Sequence, residues 1–168
     1  CAMNTTAYFD ASNPDTIEGM TAAVAYADIT DVPSEGTGLA GQAFAPGTSI
    51  WNIAAAREAA GGTPDATFVS SELIYGSRKS DTTIEQFLGD DGATVEGNGD
   101  LEMGPSALTF SGYIYIPPGV HEIKVYSDDG FDLNIGGVDF SEFASTRGAD
   151  DTARVAEFDG GLYQIDML

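Results

Sequence analysis

The sequence predicts a mostly-β fold, an antiparallel β-sandwich with two or three short helices in the N-terminal half. Three observations carry that prediction. Strand-like runs with alternating polar and apolar residues recur at regular spacing through the second half, where Leu108, Phe110, Gly112, Ile114 and Ile116 fall on one face and Thr109, Ser111, Tyr113 and Tyr115 on the other. Twenty-one glycines and seven prolines suit many short elements joined by tight turns. At 168 residues the chain fills one core and is too short for two ordinary domains, so residues 1–168 are read as one domain.

The N-terminal 65 residues read as a strand, helix and loop region. Thr5 to Phe9 forms an opening strand. Asn13-Pro14-Asp15 offers caps before Ile17, Met20, Val24 and Ala27, whose spacing predicts a helix that Gly19 weakens. The Gly-, Pro- and Ser-rich stretch 32–47 reads as a surface loop. Ser49 to Ala60 holds strong helix formers before Gly61-Gly62, with Ile50, Ile53 and Trp51 on its inner face.

Thr67 to Tyr75 follows as a strand. Asp81 is placed to cap a short helix with Ile84, Phe87 and Leu88 that ends at Gly89. The residues Asp90, Asp91, Glu96, Asn98 and Asp100 offer two readings, a second, structural calcium site without the spacing of an EF-hand loop or a solvated acidic connection, and the solvated connection is the expectation. Beyond the strand at 108–116, Pro117-Pro118-Gly119 marks a stop. Glu122–Tyr126 and Phe131–Ile135 then alternate as the arms of a hairpin, Gly136-Gly137 turns into Val138–Phe140, and Arg154–Phe158 and Leu162–Leu168 complete the strands. Asp150 and Asp151 read as a turn.

The predicted hairpin carries Asp128 and Asp129 at its tip, in Ser127-Asp128-Asp129-Gly130. Neighbouring carboxylates raise one another's pKa unless a positive charge neutralises them, and a hard cation with oxygen ligands, calcium above all, answers that need. The alternative is a β-turn whose acids serve turn propensity alone. Twenty-seven acids against six bases give a net charge of −21, which repels phosphate backbones and anionic lipid surfaces and excludes nucleic acid as a partner class. Such a charge is tolerated in an extracytoplasmic setting rich in salt or divalent ions.

Taken together, the strand ending at Pro117-Pro118-Gly119, the strand running into Ser-Asp-Asp-Gly, the glycine turn after Phe131–Ile135 and the later Gly161-Leu162-Tyr163-Gln164-Ile165 resemble the PA-14 domain. The segments Thr67-Phe68-Val69-Ser70-Ser71-Glu72-Leu73-Ile74-Tyr75-Gly76 and Ile84–Gly92 are similar to the subset found in bacterial adhesins, so the resemblance spans 66–168. It implies a calcium-dependent carbohydrate-binding domain of an exported bacterial protein. Asp128 and Asp129, joined by a cis peptide, would hold the ion, and two sugar hydroxyls would complete its shell. Asp132 and Asn134 are nearby groups for the ligand, and Tyr126, Tyr113 and Tyr115 either stack on sugar or pack a sheet. In the family an acidic, aromatic loop and a closing strand follow the Gly-Leu-Tyr strand, and neither follows here. Three alternatives stand: the family's last strand is missing, another chain supplies it across an open C-terminal strand edge, or the calcium site is incomplete.

The one cysteine, Cys1, excludes an intramolecular disulfide. Its position resembles the lipid-bearing first residue of a mature bacterial lipoprotein, which implies a second reading: a non-enzymatic accessory lipoprotein tethered to a membrane through Cys1. Catalysis is not expected. His121 is the sole histidine and has no nucleophile motif around it, and two adjacent acids do not give the opposed geometry of glycoside hydrolysis.

Overall fold

The computed structural model describes the backbone of residues 2–7 and 17–20 and, with side chains, residues 38–76 and 82–168. Cys1, Asp81 and the helix expected over Val24 and Ala27 lie outside the described residues. Among the described residues, eleven strands form two sheets. The smaller holds β1 (Ala2–Ala7), β7 (Gly119–Ser127), β10 (Asp150–Phe158) and β2 (Ile17–Met20), in that order. The larger runs β5 (Glu96–Gly97), β4 (Ala66–Ser70), β3 (Leu39–Phe44), β6 (Ala107–Ile116), β11 (Gly161–Met167), β8 (Phe131–Ile135) and β9 (Val138–Phe143). Pairing is antiparallel throughout except for β2 on β10. The predicted sandwich is the fold observed.

The core lies between the sheets because each long strand turns its apolar residues inward. Ile123 and Val125 of β7 and Ala156 and Phe158 of β10 face Phe131, Leu133 and Ile135 of β8 and Tyr163, Ile165 and Met167 of β11. Phe158 and Tyr163 meet edge to face at 5.1 Å. Buried Tyr163 takes an N–H donated by Asp159, 3.0 Å away. His121 belongs to this interior: its Nε2 lies 2.9 Å from the Pro117 carbonyl and its ring packs on Phe158.

Several expectations are corrected. Ile17–Met20 is a strand, not helix: Gly19 and β-branched Ile17 favour extended backbone, and the free edge of β10 supplies partners. Leu39–Phe44, read as loop, is an interior strand of the large sheet. Its inward residues are Leu39, Gly41 and Ala43, so small side chains hide the alternation. Gly41 is required there, since a Cβ would collide with the Phe68 ring. The strand at 66–70 stops before Tyr75, which folds back instead to stack on Phe110 at 6.0 Å. Asp150 and Asp151 begin β10 rather than making a turn. The C-terminal strand has no open edge over its last residues: β11 sits between β6 and β8, and Leu168 exchanges two backbone hydrogen bonds with Asp132 at 2.8 and 2.9 Å.

Among the described residues, two α-helices lie outside the sheets. Helix α1 (Ile53–Ala60) is capped by the Asn52 side chain and ends at Gly61, as expected. Its Ile53 and Ala56 cover Phe44, Ala107 and Leu168 on the outer face of the large sheet, and Arg57 reaches Asp132 and Glu142 at 2.7 and 2.8 Å. Trp51 is corrected: it is 69% exposed, because the helix starts two residues later and only Ile50 and Ile53 turn inward. Helix α2 (Ile84–Leu88) is capped by Thr83 in a reciprocal capping box with Gln86. A 3₁₀ turn follows over Gly89–Thr94.

The acidic connection is not simply solvated. Asp91 is buried and accepts hydrogen bonds from the Ser71 N–H at 3.0 Å, Ser71 Oγ at 2.6 Å and Tyr75 Oη at 2.9 Å. Burial alone would push its carboxyl up. The hydrogen bonds from Ser71, Tyr75 and the Glu72 backbone together outweigh that and hold it below the usual carboxylate value. Burial pushes the Tyr75 hydroxyl well above its ordinary range.

Two predictions follow from this packing. Leu133→Ala opens a cavity at a fully buried strand position, and urea denaturation is expected to show a loss of about 2–5 kcal/mol. Asp91→Asn is expected to cost about 1–3 kcal/mol at pH 7. Because the folded-state pKa of Asp91 is depressed, its contribution is present above the unfolded value of 3.8 and is lost as pH falls through the folded value. The gap between wild type and variant therefore narrows in acid, read by melts at pH 7 and pH 3; a gap independent of pH would overturn this account.

Candidate functional site

The acid pair sits on a crossover between the sheets, not at a hairpin tip. Strands β7 and β8 alternate as expected, but β7 pairs with β1 and β10 whereas β8 pairs with β9 and β11. Alternation reports which residues face the core and is silent on the partner strand. Residues 128–130 thus carry the chain from the small sheet to the large one. Residues 144–149 carry it back, between β9 and β10, at the same end of the sandwich.

The two crossovers hold each other. The Asp129 N–H donates to the Arg147 carbonyl at 3.1 Å, and Ser127 Oγ donates to the Asp129 carbonyl at 3.0 Å. Asp129 adopts φ 74°, the left-handed region that aspartate tolerates better than most side chains. Gly130 is packed so closely that a Cβ would lie 2.8 Å from the Phe143 carbonyl oxygen. No peptide bond of the described residues is cis, so the expected cis linkage between Asp128 and Asp129 is corrected to trans. The turn is shaped instead by the left-handed Asp129 and by bonds to the neighbouring crossover.

Arg147 anchors this arrangement and had no sequence signal linking it to the acid pair. Its guanidinium lies 4.3 Å from the Phe143 ring centre and 5.8 Å from that of Phe131. Nη1 donates to Thr152 Oγ1 and Nη2 to Ser127 Oγ, each at 2.8 Å, while Nε is buried against the rings without a hydrogen bond. Its fork joins β10 to the last residue of β7, directly before the acids.

The other predicted residues are dispersed. Asp132 and Asn134 alternate outward on β8; Asp132 is held by Arg57 and Asn134 donates to Asp139 at 3.3 Å. Tyr126 is on β7 and half exposed, opposite Asp151 of β10, while Tyr113 and Tyr115 are exposed on β6 of the other sheet. Asp128 and Asp129 are both exposed, and among the described residues neither takes part in an ion pair. Two hard carboxylates suit calcium in kind, and they supply only part of its six to eight oxygens. Among the described residues no cluster of three or more acids, histidines or cysteines has metal-binding geometry. An open pocket of about 400 Å³, lined by Ser71, Tyr75, Phe87 and Asp91 among others, contains none of the predicted ligands.

Comparison with known proteins places the architecture. No family model matches the chain, and no curated protein sequence does. Among solved structures, the PA14 domain of the antifreeze protein MpAFP is similar with a TM-score of 0.71 and 24% identity, covering 82% of this chain and 77% of that one. A PA14 sugar-binding domain from an RTX adhesin is similar with a TM-score of 0.64 and 21% identity, covering 78% of this chain and 80% of that one. With two facing, mostly antiparallel sheets and these neighbours, the chain has the PA14-like fold.

Proposed function

We propose that this is a calcium-dependent carbohydrate-binding domain of an exported protein, with Asp128 and Asp129 as the protein's ligands to the ion. The observation that carries the reading is the exposed acid pair on a braced crossover, left without an ion pair of its own in a fold shared with a sugar-binding adhesin domain. Arg57 and Lys124 pair with Asp132, Glu142 and Asp151, so Asp128 and Asp129 are among the many described acids that no base neutralises, and what sets them apart is their adjacency on a braced crossover. Backbone strain held in place by its surroundings is a feature of ligand sites, and Asp129 has it.

Calcium supplies coordination positions that vicinal hydroxyls can enter by displacing water. The protein's own part is to hold two carboxylates outward and pre-shaped, so little ordering remains when ligand binds. Arg147 performs that positioning through Ser127 and its own carbonyl. The net charge of −21 favours a setting with divalent ions and salt, which supports export.

Calcium at a hundred times its dissociation constant is expected to stabilise the domain by about 2.7 kcal/mol, read as a rise in melting temperature that a chelator reverses. Asp128→Asn and Asp129→Asn should each remove that rise together with the calorimetric heat of sugar binding. Sugar binding that persists in chelator, or in both variants, would sink the proposal.

A further inference from the structure

We infer that Trp51 forms a second saccharide subsite beside the acid pair, so that the domain takes a neutral glycan of at least two rings rather than a lone monosaccharide. The inference rests on the calcium-lectin reading above and deepens it. Its basis is the way three stretches of backbone lie side by side. Asn52 bridges Ser145, and the Ile53 N–H donates to the Ala144 carbonyl at 3.0 Å. On the opposite edge of the same segment, the carbonyls of Phe143 and Ser145 face Gly130, within 2.8 and 3.3 Å of where its Cβ would stand. The segment 143–145 is therefore one ply between the acid-bearing crossover and the entry to α1. Two interstrand spacings put the backbone at Asn52 and Ile53 about 10 Å from the crossover backbone at Gly130, with Trp51 next along the chain, a separation on the order of two linked sugar rings.

The side chain's disposition agrees. Ile50 and Ile53 pack on the cluster under α1, while Trp51 between them is 69% exposed. An indole is the largest apolar face a protein can offer, and the C–H face of a pyranose is a flat apolar partner. Stacking needs no charge, and a chain of net charge −21 disfavours glycans bearing carboxylates or sulfates. Neutral oligosaccharides are the class that satisfies both conditions.

Trp51 is the only tryptophan, so its emission reports this subsite directly. In saturating calcium, the intact chain is titrated with glucose, galactose, mannose and fucose and with neutral disaccharides of each, by calorimetry and fluorescence. A disaccharide is expected to bind about two- to tenfold tighter than its monosaccharide and to shift the emission. Trp51→Ala should remove that advantage and leave monosaccharide affinity and melting temperature unchanged, and Trp51→Phe should restore most of it. Monosaccharide binding with an unchanged disaccharide advantage in Trp51→Ala overturns the subsite and leaves the lectin reading intact. Emission that responds to protein concentration and not to sugar assigns Trp51 to self-association and overturns it too. No calcium-dependent binding of any sugar in the panel overturns both.

Discussion

The arrangement at the acid pair follows from one topological constraint. Strands β7 and β10 are partners in the small sheet, and β8 and β9 are partners in the large one. Each of the two connections between these pairs must leave one sheet and enter the other, and strand pairing brings both to the same end. They are forced alongside each other. Backbone that crosses an edge in this way loses its ladder partners, and the two crossovers satisfy one another through the Asp129 N–H and the Arg147 carbonyl. Gly130 permits the approach, and the Arg147 fork fastens Ser127 to Thr152 beneath it.

The same constraint explains what the sequence made legible. Inward-facing residues were readable because burial imposes a period of two along most of β6, β7, β8 and β11, which were found close to their true limits. Partner choice was not readable, because nothing in Glu122–Tyr126 or Phe131–Ile135 distinguishes two strands of one hairpin from two strands in facing sheets. The strand at Leu39–Phe44 escaped because a glycine and an alanine occupy inward positions where Phe68 fills the space. Its alternation is carried by volume complementarity from another strand, which local pattern cannot show.

At the candidate site the sequence exposed the acids and concealed their support. Adjacent aspartates before a glycine are conspicuous, whereas Arg147 lies twenty residues beyond Ser127 in an unremarkable loop and acts through the backbone pairing of β7 with β10. Trp51 was misassigned for a related reason. Helical spacing placed it on an inner face, but Asn52 caps the helix and so leaves Trp51 outside it. Asp91 shows the opposite case. An acid that composition assigned to solvent is fixed by three side-chain and backbone donors inside the fold.

The distribution of cations connects stability to the proposed binding. Arg57 clamps α1 to two acids of β8 and β9, Lys124 lies 3.3 Å from Asp151, and Arg147 is committed to hydroxyls and aromatic faces. These positive groups are engaged where the fold needs them. With 27 acids to balance and six bases available, a surface acid pair at a braced crossover has to draw on cations from solution. Monovalent ions screen such a pair diffusely, whereas a divalent ion bridges both carboxylates and gains from every degree to which the loop is already fixed. The rigidity that the crossed topology imposes is therefore the property that would turn two ordinary aspartates into a selective place for one.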